Sequence, residues 1–243
     1  MITKTKPSFK ETRRVTTMDL DDVGLSFNAQ RVGPNNFIDL RKANYGEGFR
    51  MPTIGQLAHL VHASLENRKE YESAREVVKT LKDYWLAGNT ALLWTPNGLY
   101  AIDEPEIKDD RVSIDEKTLR SKLGSIQKDD VAYSDDGRVR FTPYGFKVGE
   151  QSASDLASNS GIIAIFGTPE EADAVATVSE HYRLKPRFWA FESIVEPLIR
   201  VPVLDSDGFG YGLSVSGSWD DLYGGRCSFG VRETGEASRA NFR

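Results

Sequence analysis

Apolar residues recur at helical spacing in three stretches of the chain. In "MPTIGQLAHLVHASLEN", Ile54, Leu57, Ala58, Val61 and Leu65 fall on one face. Thr53 precedes them with Gln56 three residues on, the spacing of a reciprocal capping box. A second helix is predicted from Lys69 to Trp85, with Tyr71, Ala74, Val78, Leu81 and Trp85 turned inward. A third opens at "TPEEADAVATVSEHY", where Thr168 is the cap, Pro169 takes the first helical position and Glu171 closes the box; it stops before Pro186. Elsewhere the pattern is that of short strands. "ALLWT" and "GLYAID" flank a Pro-Asn-Gly turn at 96–98, and "RVRFT" follows Asp-Asp-Gly at 135–137. "GIIAIF", "FWAF", "IRVPVL", "YGLSVS" and "CSFGV" read as further strands. The charged stretch from Asp103 to Gln127 reads as surface decoration. The expected class is α+β, with two or three helices and short antiparallel strands.

Composition narrows the function. Hydrophobic residues make up 39% and charged residues 28% of the 243 positions, enough apolar material for a core. A net charge of −5 argues against a protein that grips phosphate backbones, so no nucleic acid partner is expected. The longest apolar run, around "IIAIF", falls far short of the roughly 20 residues of a spanning helix. Residues 1–17 read as an exposed basic arm with no secretory signal, ahead of a single domain over 18–243.

Chemistry-bearing residues are scattered. His59 and His62 have a spacing metals can use on a helix, yet His59 falls off the apolar stripe and His62 at its edge, which reads as surface histidines. His181 is placed to serve as a charge partner at a helix C-terminus. Cys227 is the single cysteine; no intrachain disulfide can form, and it reads as a buried strand residue. Adjacent acid pairs such as Asp109-Asp110, Asp129-Asp130 and Asp135-Asp136 read as turns, and "DSDG" at 205–208 lacks the ligands that a calcium loop needs next. A hydrolase using Asp and His residues in a cleft stays open as the alternative reading.

From Asp205 onward the composition changes. "DSDGFGYGLSVSGSWDDLYGG" mixes Gly, Ser and Asp with Phe, Tyr and Trp, the combination that recognition surfaces use. Alternation along a strand lets Phe209 and Tyr211 share one face, as it does Ser216 and Ser218. The expected ligand-binding face comprises Asp207, Phe209, Tyr211, Ser216, Ser218, Asp220, Asp221, Leu222 and Tyr223, with Trp219 at or beneath it.

Three segments carry a resemblance. "GFRMPTIGQL" at 48–57, "SGSWDD" at 216–221 and "GGRCSFGVRE" at 224–233 resemble, in the same order, motifs of the formylglycine-generating-enzyme branch of the C-type lectin fold. Within that branch the chain is similar to the variable ligand-binding proteins of diversity-generating retroelements, which end in such a segment. The resemblance implies a C-type lectin-like domain with a C-terminal variable segment at about 205–231. The region 67–160 carries no family motif and is expected to be an insertion. Arg226 and Arg232 match the fixed closing strand, so they are expected to be scaffold. The oxidase of the branch uses a pair of cysteines, which this chain lacks; the three-histidine iron site and the calcium motifs are also unmatched, "EPE" at 104–106 and "WDD" at 219–221 only approximating the latter. The implied protein is a non-enzymatic binder with no cofactor and no metal. Its implied partner is a protein or glycan at a cell or virion surface, as for a receptor-binding viral or phage protein.

Overall fold

In the computed structural model, residues 9–11, 17–206, 212–219 and 222–234 are described, without the side chains of 10, 11, 218 and 219. Seven α-helices lie among them: α1 Phe37–Lys42, α2 Ile54–Asn67, α3 Glu72–Asp83, α4 Glu116–Lys122, α5 Ala153–Ala157, α6 Ser160–Phe166 and α7 Pro169–Ser179. The class is α+β, but two or three helices was too few. The three periodic stretches became α2, α3 and α7; the other four helices are five to seven residues long, too short for periodicity to announce them.

The helix starts follow their caps. The Thr53 hydroxyl accepts the Gln56 N–H at 3.1 Å while Gln56 Oε1 accepts the Thr53 N–H at 3.0 Å, so two orphan donors are satisfied reciprocally. Thr168 accepts the Glu171 N–H at 3.2 Å ahead of Pro169. "GIIAIF", expected as a strand, is α6: the Asn159 side chain accepts the N–H groups of Gly161 and Ile162, and Gly167 ends the helix. A continuous apolar run fits any fully buried element, and here the cap decided.

Among the described residues the main sheet has fourteen strands and is mixed rather than antiparallel. Strand Arg226–Glu233 pairs antiparallel with Leu25–Asn35 and parallel with Trp85–Leu86. Strand Leu213–Trp219 pairs antiparallel with Leu198–Ser206 and parallel with Arg187–Trp189. The two C-terminal strands therefore share a sheet but are not neighbours; Trp85–Leu86 and Leu198–Ser206 stand between them. Trp85, expected at the end of the second helix, begins its own strand after α3 closes at Asp83.

One face of this sheet carries α2, α3, α6 and α7. Ile54, Leu57, Val61, Phe166 and Val175 share a core with Leu213, Val215, Phe229 and Val231 from the two C-terminal strands. The 67–160 region is not peripheral: hairpin Thr90–Thr95/Gly98–Asp103 continues the sheet from Leu198–Ser206, and Trp94 is fully buried, its indole N–H donating to the Gly217 carbonyl at 2.8 Å. The stretch 106–128 is the exposed part, a small hairpin, α4 and an edge strand. Within the arm, Phe9 is buried against Tyr71 rather than exposed, with ring centroids 4.8 Å apart. No helix of the described residues is long and apolar enough to cross a membrane.

Candidate functional site

Registers across the C-terminal half of the sheet sort its residues into two rows. Cys227 is level with Leu86, Leu86 with Leu204, Leu204 with Val215 and Val215 with Phe188. All five are buried against the helices, because directly paired residues point to one side. A step of one residue along each strand gives the opposite row. Arg226 is level with Trp85, and Asp205 with Ser214, which is level with Arg187. The antiparallel register at Leu86 and Leu204 brings Trp85 level with Asp205. Four inter-strand steps of about 4.8 Å give this outer row a span of about 19 Å.

An aromatic ring and a guanidinium meet at each end of the outer row. At one end Tyr223 packs on Trp85, ring centroids 4.7 Å apart, and the buried Arg226 donates to the Tyr223 carbonyl with its guanidinium 6.0 Å from the ring. Tyr223 is nonetheless 49% exposed. At the other end Arg187 lies 4.7 Å over the Trp189 ring and donates to Glu150 at 2.5 Å, while Trp189 stays 48% exposed. Between the ends lie the half-buried Asp205 and Ser214. Such an arrangement offers stacking surface at two places and hydrogen-bonding groups between them.

Of the residues expected on a binding face, Tyr223 packs on Trp85 of the outer row and is exposed; its neighbour Leu222 is also exposed. Ser216 does not join them. It is 2% exposed: it is paired with Trp189 on one side and on the other with Val203, which is buried in a second core with Phe37 and Leu40 on this face. Ser218 and Trp219 lie in the same strand, Trp219 level with Val201, but their side chains are outside the described residues. Asp207, Phe209, Tyr211, Asp220 and Asp221 also lie outside them. They belong to the connections between residues 206 and 213 and between 219 and 226. Tyr223, three residues before Arg226, packs on Trp85.

Trp85, Asp205, Ser214, Arg187 and Trp189 lie in strands from distant parts of the chain, joined by parallel pairings at both ends of the row and antiparallel ones between, and no local pattern announces that order. One signal was present. "FWAF" reads as a strand, and alternation then sends Phe188 inward and Trp189 outward.

The remaining candidates have structural surroundings. Arg226 is fully buried, as a scaffold residue should be; Arg232 is exposed, its guanidinium 4.7 Å over the Phe49 ring. Cys227 is buried in its strand, and burial pushes its thiol up to about 11. His59 is not a surface residue: packing of α2 against its neighbours leaves it half-buried, and burial, aided by His62, pushes it down to about 4. His181 meets Glu66 at 2.9 Å. Among the described residues no three His, Cys, Asp or Glu side chains gather as metal ligands would.

No family model matches this chain, and no curated protein does. A solved structure described as the accommodation of massive sequence variation in Nanoarchaeota by the C-type lectin fold is similar to it, with 13% identity and a TM-score of 0.45, over 84% of this chain and 95% of that one.

Proposed function

We propose that this chain is a non-enzymatic ligand-binding protein, receptor- or adhesin-like, whose C-terminal segment forms a sequence-variable binding surface of the kind carried by diversity-generating retroelement variable proteins. The observation that carries this reading is the outer row. The exposed Tyr223 stacked on Trp85 at one end and the exposed Trp189 under Arg187 at the other flank a polar floor on strands whose opposite side is wholly committed to the core. Rigid rings with small polar groups between them supply contact area at low entropic cost. The Gly-, Ser- and aromatic-rich segments at 205–213 and 216–225 join the strands of this row in sequence.

The placement of the resembling motifs gives further support. Arg50 of "GFRMPTIGQL" and Val231 of "GGRCSFGVRE" exchange both backbone hydrogen bonds, at 2.9 and 2.8 Å, so the two segments meet as parts of one scaffold. The partner under this reading is a protein or glycan displayed on a cell or virion surface. Sequencing the gene across many isolates tests the proposal. Substitutions at adenine positions should concentrate in codons of about 205–231, with the scaffold codons of Arg226 and Arg232 unchanged and a near-copy of the segment beside the gene. Substitutions spread evenly along the gene would refute it.

A further inference from the structure

On the helical side of the sheet lies a buried polar group that the binding face does not use. Arg140 of strand Val139–Pro143 is fully buried, and its five N–H groups are all engaged. Its Nε donates to the Ala164 carbonyl at 2.8 Å. One terminal nitrogen donates to Asp103 Oδ2 and the Gly137 carbonyl, the other to Asp103 Oδ1 and the Ile165 carbonyl. Asp103 also accepts from Thr90, whose hydroxyl accepts the first N–H of α2, from Ile54. One cluster thus ties the start of α2, the end of α6 and three strands together.

Glu171, in the first turn of α7, has its carboxyl at this junction with no Arg140 donor left over for it. Its carboxyl bonds back to the Thr168 cap. A Cβ at Gly55 of α2 would collide with that carboxyl and the Phe166 carbonyl, and a Cβ at Gly167 would collide with its other oxygen. Both glycines leave room for the carboxyl and nothing more. We propose that Glu171 is a proton-operated clasp, closing the junction of α2, α6 and α7 when neutral and loosening it when ionised.

Burial pushes the Glu171 carboxyl from 4.5 up to about 8, against the pull of Arg140 and with the push of Asp103. Tyr133 from strand Val131–Ser134 and Glu170 on α7 are the other titratable groups at the cluster, and α2 contributes His59, which feels Glu170; α6 contributes none. An acid whose folded value is raised stabilises the fold fully below 4.5 and loses that contribution as pH rises through 8. His59 acts in the opposite sense, since its value falls from 6.5 to about 4 and its contribution is complete only above 6.5. Glu171 is therefore read in the window from pH 6.5 to 9.

The test is thermal unfolding of the wild-type chain and Glu171→Gln across that window. Gln keeps the shape and the uncharged state. The wild-type melting temperature should fall by roughly 5 °C relative to the variant between pH 6.5 and 9. If the two profiles run parallel, the clasp is refuted. Should the variant not fold, amide exchange in wild type decides: residues 54–57 and 164–173 should lose protection over the same window beyond the intrinsic pH effect, and unchanged protection there refutes the proposal equally.

Discussion

The two rows on strands 85–86, 187–189, 198–206, 213–219 and 226–233 differ by one residue of register and by everything else. Cys227, Leu86, Leu204, Val215 and Phe188 are each at most 1% exposed, while Trp85, Asp205, Ser214 and Arg187 on the reverse side are all partly open. The same backbone hydrogen bonds hold both. Apolar burial on the inner side contributes on the order of 1.5–3 kcal/mol for each large side chain and holds the strands from the helical side; beyond the row, Ala87, Val201 and Val203 on the outer side are buried in a second core with Phe37 and Leu40, so the open part is confined to the row. A surface freed from folding can then change its side chains and keep its shape. Arg226 is the exception in the outer row, since Tyr223 and the returning chain bury it.

Substitutions separate the rows by size of effect. Phe188→Ala on the inner row should cost about 3–5 kcal/mol in chemical denaturation, the loss for an emptied aromatic site. Arg226→Ala comes next, at about 2–3 kcal/mol, because the Tyr223 carbonyl loses its donor and a buried volume is vacated. A smaller effect belongs to the helical layer behind the inner row. His59 favours the fold above pH 6.5 and loses that contribution as pH falls toward 4, so His59→Gln should flatten the acid limb of the stability profile by about 1–2 kcal/mol. Trp189→Ala should be the mildest, below about 1 kcal/mol, with the Arg187–Glu150 pair retained.

Legibility in the sequence followed how local each cause was. The Thr53–Gln56 box, the Pro169 start of α7 and the hairpin around residues 96–98 rest on neighbouring residues, and each stands where the pattern put it. α6 was misread because its cue, Asn159, lies outside the apolar run that drew attention. Of the residues at the outer row, only Tyr223 stands in the segment whose composition drew attention. Trp85 shares a two-residue strand with Leu86, too short for period two to show, and helical spacing from α3 absorbed it. Arg187 and Trp189 join through a parallel pairing, which leaves no turn between the partners to betray it. Ser216 was misjudged for a related reason: alternation says which face a residue takes, not what covers that face.

Saturation substitution at both rows, read by protease resistance of the displayed chain, tests the division most directly. The account predicts that most replacements at Trp85, Asp205, Ser214, Arg187, Trp189 and Tyr223 keep stability within about 1 kcal/mol of wild type, while polar replacements at Leu86, Leu204, Val215 and Phe188 abolish resistance. Equal intolerance in the two rows would contradict it and make the outer face part of the fold's own packing.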